Sequence, residues 1–250
     1  MTVFDSRWRG RLRARAILSA LLTAGVVSFF SGVLRADANQ DALMAYQRGD
    51  YVAALNLYRP LANRGDAMAS YNLGVLYAKG LGAPKDFAQA HQWYRKAADQ
   101  GDPGAQNSLG LMYDKNRGVA QDYVAAIGWF RKAADQGFAA AQNNLGFMHD
   151  KGRGTPQDYA QAAQWYLKAA DQAYAEAQEN LALLYAKGLG TPPDLVQAHK
   201  WYALAALNYR PEEAKQRALA KKRYEALKAK MIAKQIADAR AAAAAWRAKK

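Results

Sequence analysis

The 250-residue sequence has no cysteine. Disulfides, thiolate metal sites and a thiol nucleophile are therefore excluded, although this absence does not assign a compartment. Histidine is almost as scarce, with only His91, His149 and His199. No HExxH zinc pair, no GxSxG nucleophile elbow and no phosphate loop ending in GK[ST] is present. Acidic residues are also few, 21 against 35 Lys and Arg, which leaves a formal charge of +14. That excess sits at the two ends: residues 1–38 carry +4, residues 39–209 only +1 and residues 210–250 the remaining +9. A near-neutral centre of this length is not a nucleic-acid surface, whatever the total suggests.

The N-terminal charge has a simple reading. "MTVFDSRWRGRLRAR" is a basic stretch ahead of an uncharged apolar run, Ile17–Leu34, and "ADA" at Ala36–Ala38 places small residues where a signal peptidase cuts. We read residues 1–38 as a signal peptide cleaved after Ala38. The run has 18 residues, which as a helix spans roughly 27 Å, so an uncleaved anchor is the alternative. The protein is then expected to be periplasmic or secreted, or else anchored in the inner membrane with its bulk in the periplasm. No twin-arginine pair is present, so the general secretory route is expected.

Beyond this leader the sequence repeats. Asp50, Asp86, Asp122, Asp158 and Asp194 are each 36 residues apart, and so are Trp93, Trp129, Trp165 and Trp201, and Leu73, Leu109, Leu145 and Leu181. Such a period is the mark of a solenoid. Each unit reads as two helices. In "FAAAQNNLGFMHDKGRG", Ala141, Leu145, Gly146 and His149 share one helical face, and glycines stop the helix. In the following "TPQDYAQAAQWYLKAADQA", Asp158 is positioned as N-cap of a second amphipathic helix. Gly74, Gly110 and Gly146 lie mid-helix, where glycine costs about 1 kcal/mol relative to alanine. Their recurrence predicts a neighbouring helix that needs the space.

The pattern AxxxLGxxYxxGxG…D…A..W…AA resembles the Sel1-like repeat, a relative of the tetratricopeptide repeat. One copy carries it on Ala69, Leu73, Gly74, Tyr77, Gly80, Gly82, Asp86, Ala90, Trp93, Ala97 and Ala98. Later copies depart at single positions: Asn116 for the first loop glycine, His149 for the tyrosine, Ala182 for the helix glycine. The last second helix reads "WYALAALNY" where the others read "WYRKAADQG" or close to it. The resemblance implies an all-α fold, an α/α solenoid of Sel1-like, tetratricopeptide-like helix pairs in a right-handed superhelix. Residues 39–65 read as an N-terminal capping helix pair, 66–209 as four 36-residue repeats, and 210–250 as one long basic Ala/Lys-rich helix. The fifth first-helix register holds Glu213, Arg217, Ala218 and Lys221, so its contact face is expected to be lost.

Little in the repeats asks for chemistry. Lys96 and Lys132 stand three residues before Asp99 and Asp135, a spacing suited to solvated ion pairs worth a few tenths of a kcal/mol. His91 and His199 share a register three repeats apart, too far at roughly 10 Å per helix layer to share a metal. His149 replaces a packing tyrosine and reads as a core residue. No catalytic residue, metal ligand or cofactor is assigned, and the chain is expected not to be an enzyme.

What remains is surface on the first helix of each unit. Tyr71, Asn107, Asn143 and Glu179 share one register, Val75, Leu111, Phe147 and Leu183 another, and Asn72, Ser108, Asn144 and Asn180 flank them. In tetratricopeptide-like arrays this helix lines the concave side, and the resemblance implies an amide-and-apolar ladder for an extended segment of another protein. Alternatively, the four apolar residues pack against the second helices; the sequence does not choose between these roles.

The function implied is a scaffold or regulator of protein interactions in the bacterial cell envelope. The resemblance extends to periplasmic regulators of membrane sensor kinases and to host-interaction factors, so the partner is a protein, a membrane sensor or another envelope component. A second expectation is peripheral contact with anionic lipid or polysaccharide through 210–250. A minor one is hydrolysis of a β-lactam or cell-wall precursor, described for Cys-rich members whose cysteines this chain lacks. Nucleic acid is not an expected partner of an exported protein.

Overall fold

The structure, a computed structural model, describes residues 38–247. The expected leader, with its cleavage position, lies outside them except for Ala38. Two compact units divide the chain, the first ending at Lys85 and the second beginning at Asp86. Among the described residues there is no strand, and no helix is long and apolar enough to cross a membrane.

The first unit contains helix α1 (38–47), α2 (Tyr51–Asn63) and α3 (Ala67–Lys79). Asp50 caps α2 by accepting the Ala53 N–H at 3.0 Å, and the Tyr46 and Tyr51 rings meet edge-on at 5.3 Å across the turn. α2 packs on α3, and Leu55, Tyr58, Leu61, Leu73 and Leu76 are all buried. Each such side chain contributes about 1.5–3 kcal/mol by leaving water.

The second unit runs α4 (Phe87–Ala98), α5 (Pro103–Asp114), α6 (Tyr123–Asp135), α7 (Ala139–Lys151), α8 (Tyr159–Ala170), α9 (Ala175–Lys187) and α10 (Leu195–Asn208), each packed on the next. The aspartate ladder is a ladder of N-caps: Asp86, Asp122, Asp158 and Asp194 each accept a backbone N–H three residues on, all at 2.9 Å. The mid-helix glycines make room for rings. A Cβ at Gly110 would stand 2.5 Å from the Phe130 ring, and one at Gly146 would stand 2.8 Å from Tyr166. The loop glycines divide two tasks. Gly152 ends α7 in the left-handed conformation (φ 64°), whereas at Gly154 (φ 69°) a Cβ would come within 2.8 Å of the Tyr123 backbone.

A second amide ladder ties the repeats together. Gln106, Gln142 and Gln178, all buried, donate to the carbonyls of Ala98, Ala134 and Ala170. Each in turn accepts from the end of the following second helix, from Gln136, Gln172 and Asn208 at 2.8–2.9 Å. Pairing them satisfies polar atoms that would cost about 1–3 kcal/mol each if left bare.

Two expectations fail here. The Lys–Asp pairs of "RKAADQG" are not what forms: Arg95 pairs with Asp99 at 2.9 Å, one helical turn on. The lysines instead lie over the tryptophans of their own helices, Lys96 over Trp93 at 4.0 Å, Lys132 over Trp129 at 4.1 Å and Lys168 over Trp165 at 3.8 Å. Arg95 and Arg131 reach the tryptophan of the next repeat, Trp129 at 5.1 Å and Trp165 at 5.6 Å. At exposed sites a cation over an indole face is worth about 0.5–1 kcal/mol, comparable to a solvated ion pair.

The second correction concerns 210–250, which is not one long helix. After a turn at Pro211–Glu213 the chain forms α11 (Ala214–Lys228) and, beyond a break, α12 (Ala233–Ala245). The last turn of α11 tightens, with the Lys230 and Met231 N–H groups bonded to Leu227 and Lys228 carbonyls, and Gln235 accepts the Ile232 N–H to start α12. The break is held by burial: it lets both helices pack on α10, so that Leu227, Met231 and Ala239 join the core and Trp246 meets Trp201 edge-on at 6.1 Å. Nor is the contact face lost. Ala220, Tyr224 and Leu227, at positions other than the expected register, supply it, with Tyr224 on the His199 ring at 4.3 Å.

Candidate functional site

The first helices of the second unit start in two ways. α5 is capped by Asp102, which accepts the Ala105 N–H at 2.7 Å. In the same register Phe138 precedes α7 and Tyr174 precedes α9, with no side-chain cap. Each forgoes about 1 kcal/mol of capping. Tyr174 gains a place in a groove of about 450 Å³ bounded by α5, α7 and the start of α9.

Five of the twelve residues expected to contact a partner line this groove: Asn107, Leu111, Asn143, Asn144 and Phe147. Leu111 and Phe147 are half-buried against the core of Phe130, Leu145 and Met148, so one side of each packs inward while the other faces the groove. Leu111 and Phe147 thus take the packing role, with their outer side left open to the groove. The asparagines are linked along the array. Asn144 Nδ2 donates to Asn107 Oδ1 at 2.8 Å, and Asn180 Nδ2 donates to Asn143 Oδ1 at 3.1 Å. Asn144 thereby spends one of its two N–H groups, and its carbonyl and second N–H remain for a ligand.

The other seven residues are elsewhere. Tyr71, Asn72 and Val75 are half-buried on α3 of the first unit. The Ser108 hydroxyl donates to the Gly104 carbonyl of its own helix at 2.8 Å. Asn180 is in the ladder, and Leu183 is half-buried on α9. Glu179 is buried, its carboxylate accepting from the Tyr209 hydroxyl and from Arg223 of α11. At that register the surface is occupied from within.

Charged groups that the repeat pattern does not single out shape the groove. Asp114 is buried in its lining and pairs with Lys115 at 2.7 Å and with Arg153, from the loop after α7, at 3.0 Å. Arg153 and Lys115 also lie over the Phe147 ring at 5.0 and 5.9 Å. Glu176, from α9, lines the groove as well. Burial, with Glu176 nearby, pushes the Tyr174 phenol up to about 12, so it is a neutral donor at physiological pH. The signal in the sequence is the departure at Phe138 and Tyr174 from the Asp66 and Asp102 of that register.

The histidines show no site. His91 meets Tyr113 edge-on at 5.9 Å; His149 and His199 are buried with neither ring nitrogen hydrogen-bonded. Among the described residues no three His, Asp or Glu side chains gather as metal ligands.

Comparison with known proteins places this architecture. A Sel1 repeat protein from Oxalobacter formigenes is 36% identical over 66% of this chain and 68% of its own, with a TM-score of 0.60. A sel1 repeat protein from Klebsiella pneumoniae subsp. pneumoniae, 21% identical over 78% of this chain and 93% of its own, shares the fold with a TM-score of 0.52. No curated protein matched. The family model described as Sel1 repeat matches five times in succession, at residues 40–66, 67–102, 103–138, 139–174 and 175–208. The chain belongs to the Sel1 repeat family, whose members are in general scaffolds for protein interactions.

Proposed function

We propose that the protein is a non-catalytic scaffold of the bacterial cell envelope that holds an extended segment of a partner protein in the groove between α5 and α7. The carrying observation is the half-buried amide of Asn144, fixed by its bond to the buried Asn107, beside the half-buried apolar groups Leu111 and Phe147. Oriented amides match the backbone N–H and C=O groups of an extended chain, and the apolar positions take its alternate side chains. The cations Lys115 and Arg153 around Asp114, and Glu176 from α9, add charged groups that select among segments.

The test is affinity capture from a membrane fraction with the full chain. Phe147→Ala, which empties the groove's largest apolar contact, should lose the partner recovered by the unaltered chain, with the helical content retained. A partner captured equally well by Phe147→Ala and Asn144→Ala chains defeats the reading. Location is tested separately: protease added to intact spheroplasts should degrade an exported chain and spare one that stays inside.

A second reading rests on a different surface. Lys215, Lys221 and Lys222 are exposed on α11, within the +9 segment, and favour contact with anionic lipid. Because α11 and α12 cover core residues, charge reversal is a cleaner test than deletion. Lys215→Glu/Lys222→Glu should abolish co-sedimentation with phosphatidylglycerol vesicles; unchanged sedimentation removes this reading.

A further inference from the structure

The last second helix is written differently from the others, and the α5–α7 groove makes no use of that. Where the earlier second helices carry Arg95, Arg131 and Leu167, α10 has Ala203; where they carry Asp99, Asp135 and Asp171, it has Leu207. The acidic position of that face has become apolar in this copy alone. Leu207 is 78% exposed, the most exposed of the large apolar side chains among the described residues.

At that place α10 and α11 enclose an open groove of about 610 Å³, larger than the one between α5 and α7. Its apolar lining includes the half-buried Ala203 and Ala206 together with the exposed Leu207 and Ala218. Alanines admit a backbone closely, as at interfaces between packed helices. Two cations complete the lining, Arg217 and Lys221, one helical turn apart on α11. Both are exposed, and neither has an anionic partner among the described residues. Arg210 is paired with Glu212 and Glu213, Arg223 with Glu179, and Lys228 with Glu225; Lys215 and Lys222 have no anionic partner among the described residues either, but they do not line the groove.

We propose that the α10–α11 groove is a second protein-docking site, taking an amphipathic acidic segment of a partner. An apolar stripe on that segment covers Leu207 and the alanines, and carboxylates beside the stripe reach Arg217 and Lys221. The concavity favours a peptide over a lipid surface, since a bilayer would touch Leu207 without filling the groove. Unpaired cations spaced one turn apart select carboxylates at matching i, i+4 positions. The site is separate from the α5–α7 groove in residues and in the character of its ligand: one takes an extended chain by its backbone, the other an amphipathic segment by its side chains and charge.

A random peptide library displayed on phage and selected against the full-length chain tests this. Selected peptides that depend on the groove should carry periodic Leu, Ile or Phe with Asp or Glu beside them. Leu207→Asp restores the residue of the other repeats at a position 78% exposed, so it should leave the fold intact while weakening such peptides at least about tenfold. Arg217→Glu/Lys221→Glu should weaken them to a similar degree, and Phe147→Ala should not. The proposal is overturned if no selected peptide depends on Leu207, or if the dependent peptides lack acidic residues. It is equally overturned if Leu207→Asp instead removes binding to phosphatidylglycerol vesicles with no peptide bound, or turns a concentration-dependent dimer into a monomer.

Discussion

Asn107, Asn143 and Glu179 occupy the same register of successive first helices and are all buried, yet the two asparagines line the α5–α7 groove and the glutamate is held by the helices that close the array. The difference comes from one change in chemistry and from those closing helices. A neutral amide can be buried with part of its hydrogen bonding spent on a neighbour, as Asn143 is by accepting from Asn180. A carboxylate in the same place is an acceptor only, and here Tyr209 and Arg223, from the end of α10 and from α11, converge on it. The repeat therefore supplies a position rather than a role. Whether that position lines a groove or closes the array depends on the residue and on the next helix.

The comparison is broken most severely at the ion pair. Arg223→Ala leaves the Glu179 carboxylate with 9% of its side chain exposed and only Tyr209 as partner. Breaking a fully buried pair costs about 3–5 kcal/mol, and the 40% exposure of Arg223 reduces that to about 2 kcal/mol. Urea unfolding followed by tryptophan fluorescence should show the loss. Adding Glu179→Gln should recover a large part of it, because the stranded charge is then gone. An Arg223→Ala chain as stable as its parent would mean that α11 is held by its apolar contacts, Ala220, Tyr224 and Leu227, alone.

The same cap should respond to pH. His199 lies under Tyr224 with neither ring nitrogen bonded, and its pKa is lowered, first by burial and then by Arg240 and Lys228, with Glu225 opposing. Above about pH 6.5, the ordinary value, the histidine is neutral folded or unfolded, and its environment costs nothing. As pH falls below that, the unfolded chain takes up a proton that the folded chain refuses, and stability drops until the lowered folded value is passed. His91 and His149 are lowered as well, so His199→Phe should remove up to about one proton from the acid slope of stability rather than abolish it. An unchanged slope between pH 7 and 5 would show that His199 gains water before the cap unfolds.

The sequence was most legible where one residue type serves one steric purpose. The aspartate caps, the glycines that clear Phe130 and Tyr166, and the helix-pair period all follow from backbone rules acting within a few residues. The Gln106–Gln136 and Gln142–Gln172 ladder is present at the same 36-residue step but does not stand out in the sequence, because its partners are 30 residues apart and nothing local distinguishes a buried amide from an exposed one. The C-terminal segment misled for a related reason. Its Ala and Lys content favours a single helix, and propensity yields to the burial of Met231, Ala239 and Trp246 against α10. Of the binding ladder, the register was readable. Its occlusion at Glu179 was not, since Arg223 arrives from 44 residues away.

The smallest expected effect sharpens the comparison from its open side. Asn144→Ala removes the bond to Asn107 Oδ1, a half-buried contact between two neutral amides. Such a bond contributes about 0.5–1.5 kcal/mol net, and water that enters an open groove can take over the freed acceptor, so the cost should fall near 0.5 kcal/mol. Urea unfolding should barely distinguish this chain from its parent, in contrast to Arg223→Ala. Partner capture should separate them in the opposite order, with Asn144→Ala weakened and Arg223→Ala, whose change lies outside the groove, retained. If Asn144→Ala is instead the more destabilised of the two, the amide ladder is a structural spine like the buried glutamines, and the open register is no more available to a ligand than the sealed one.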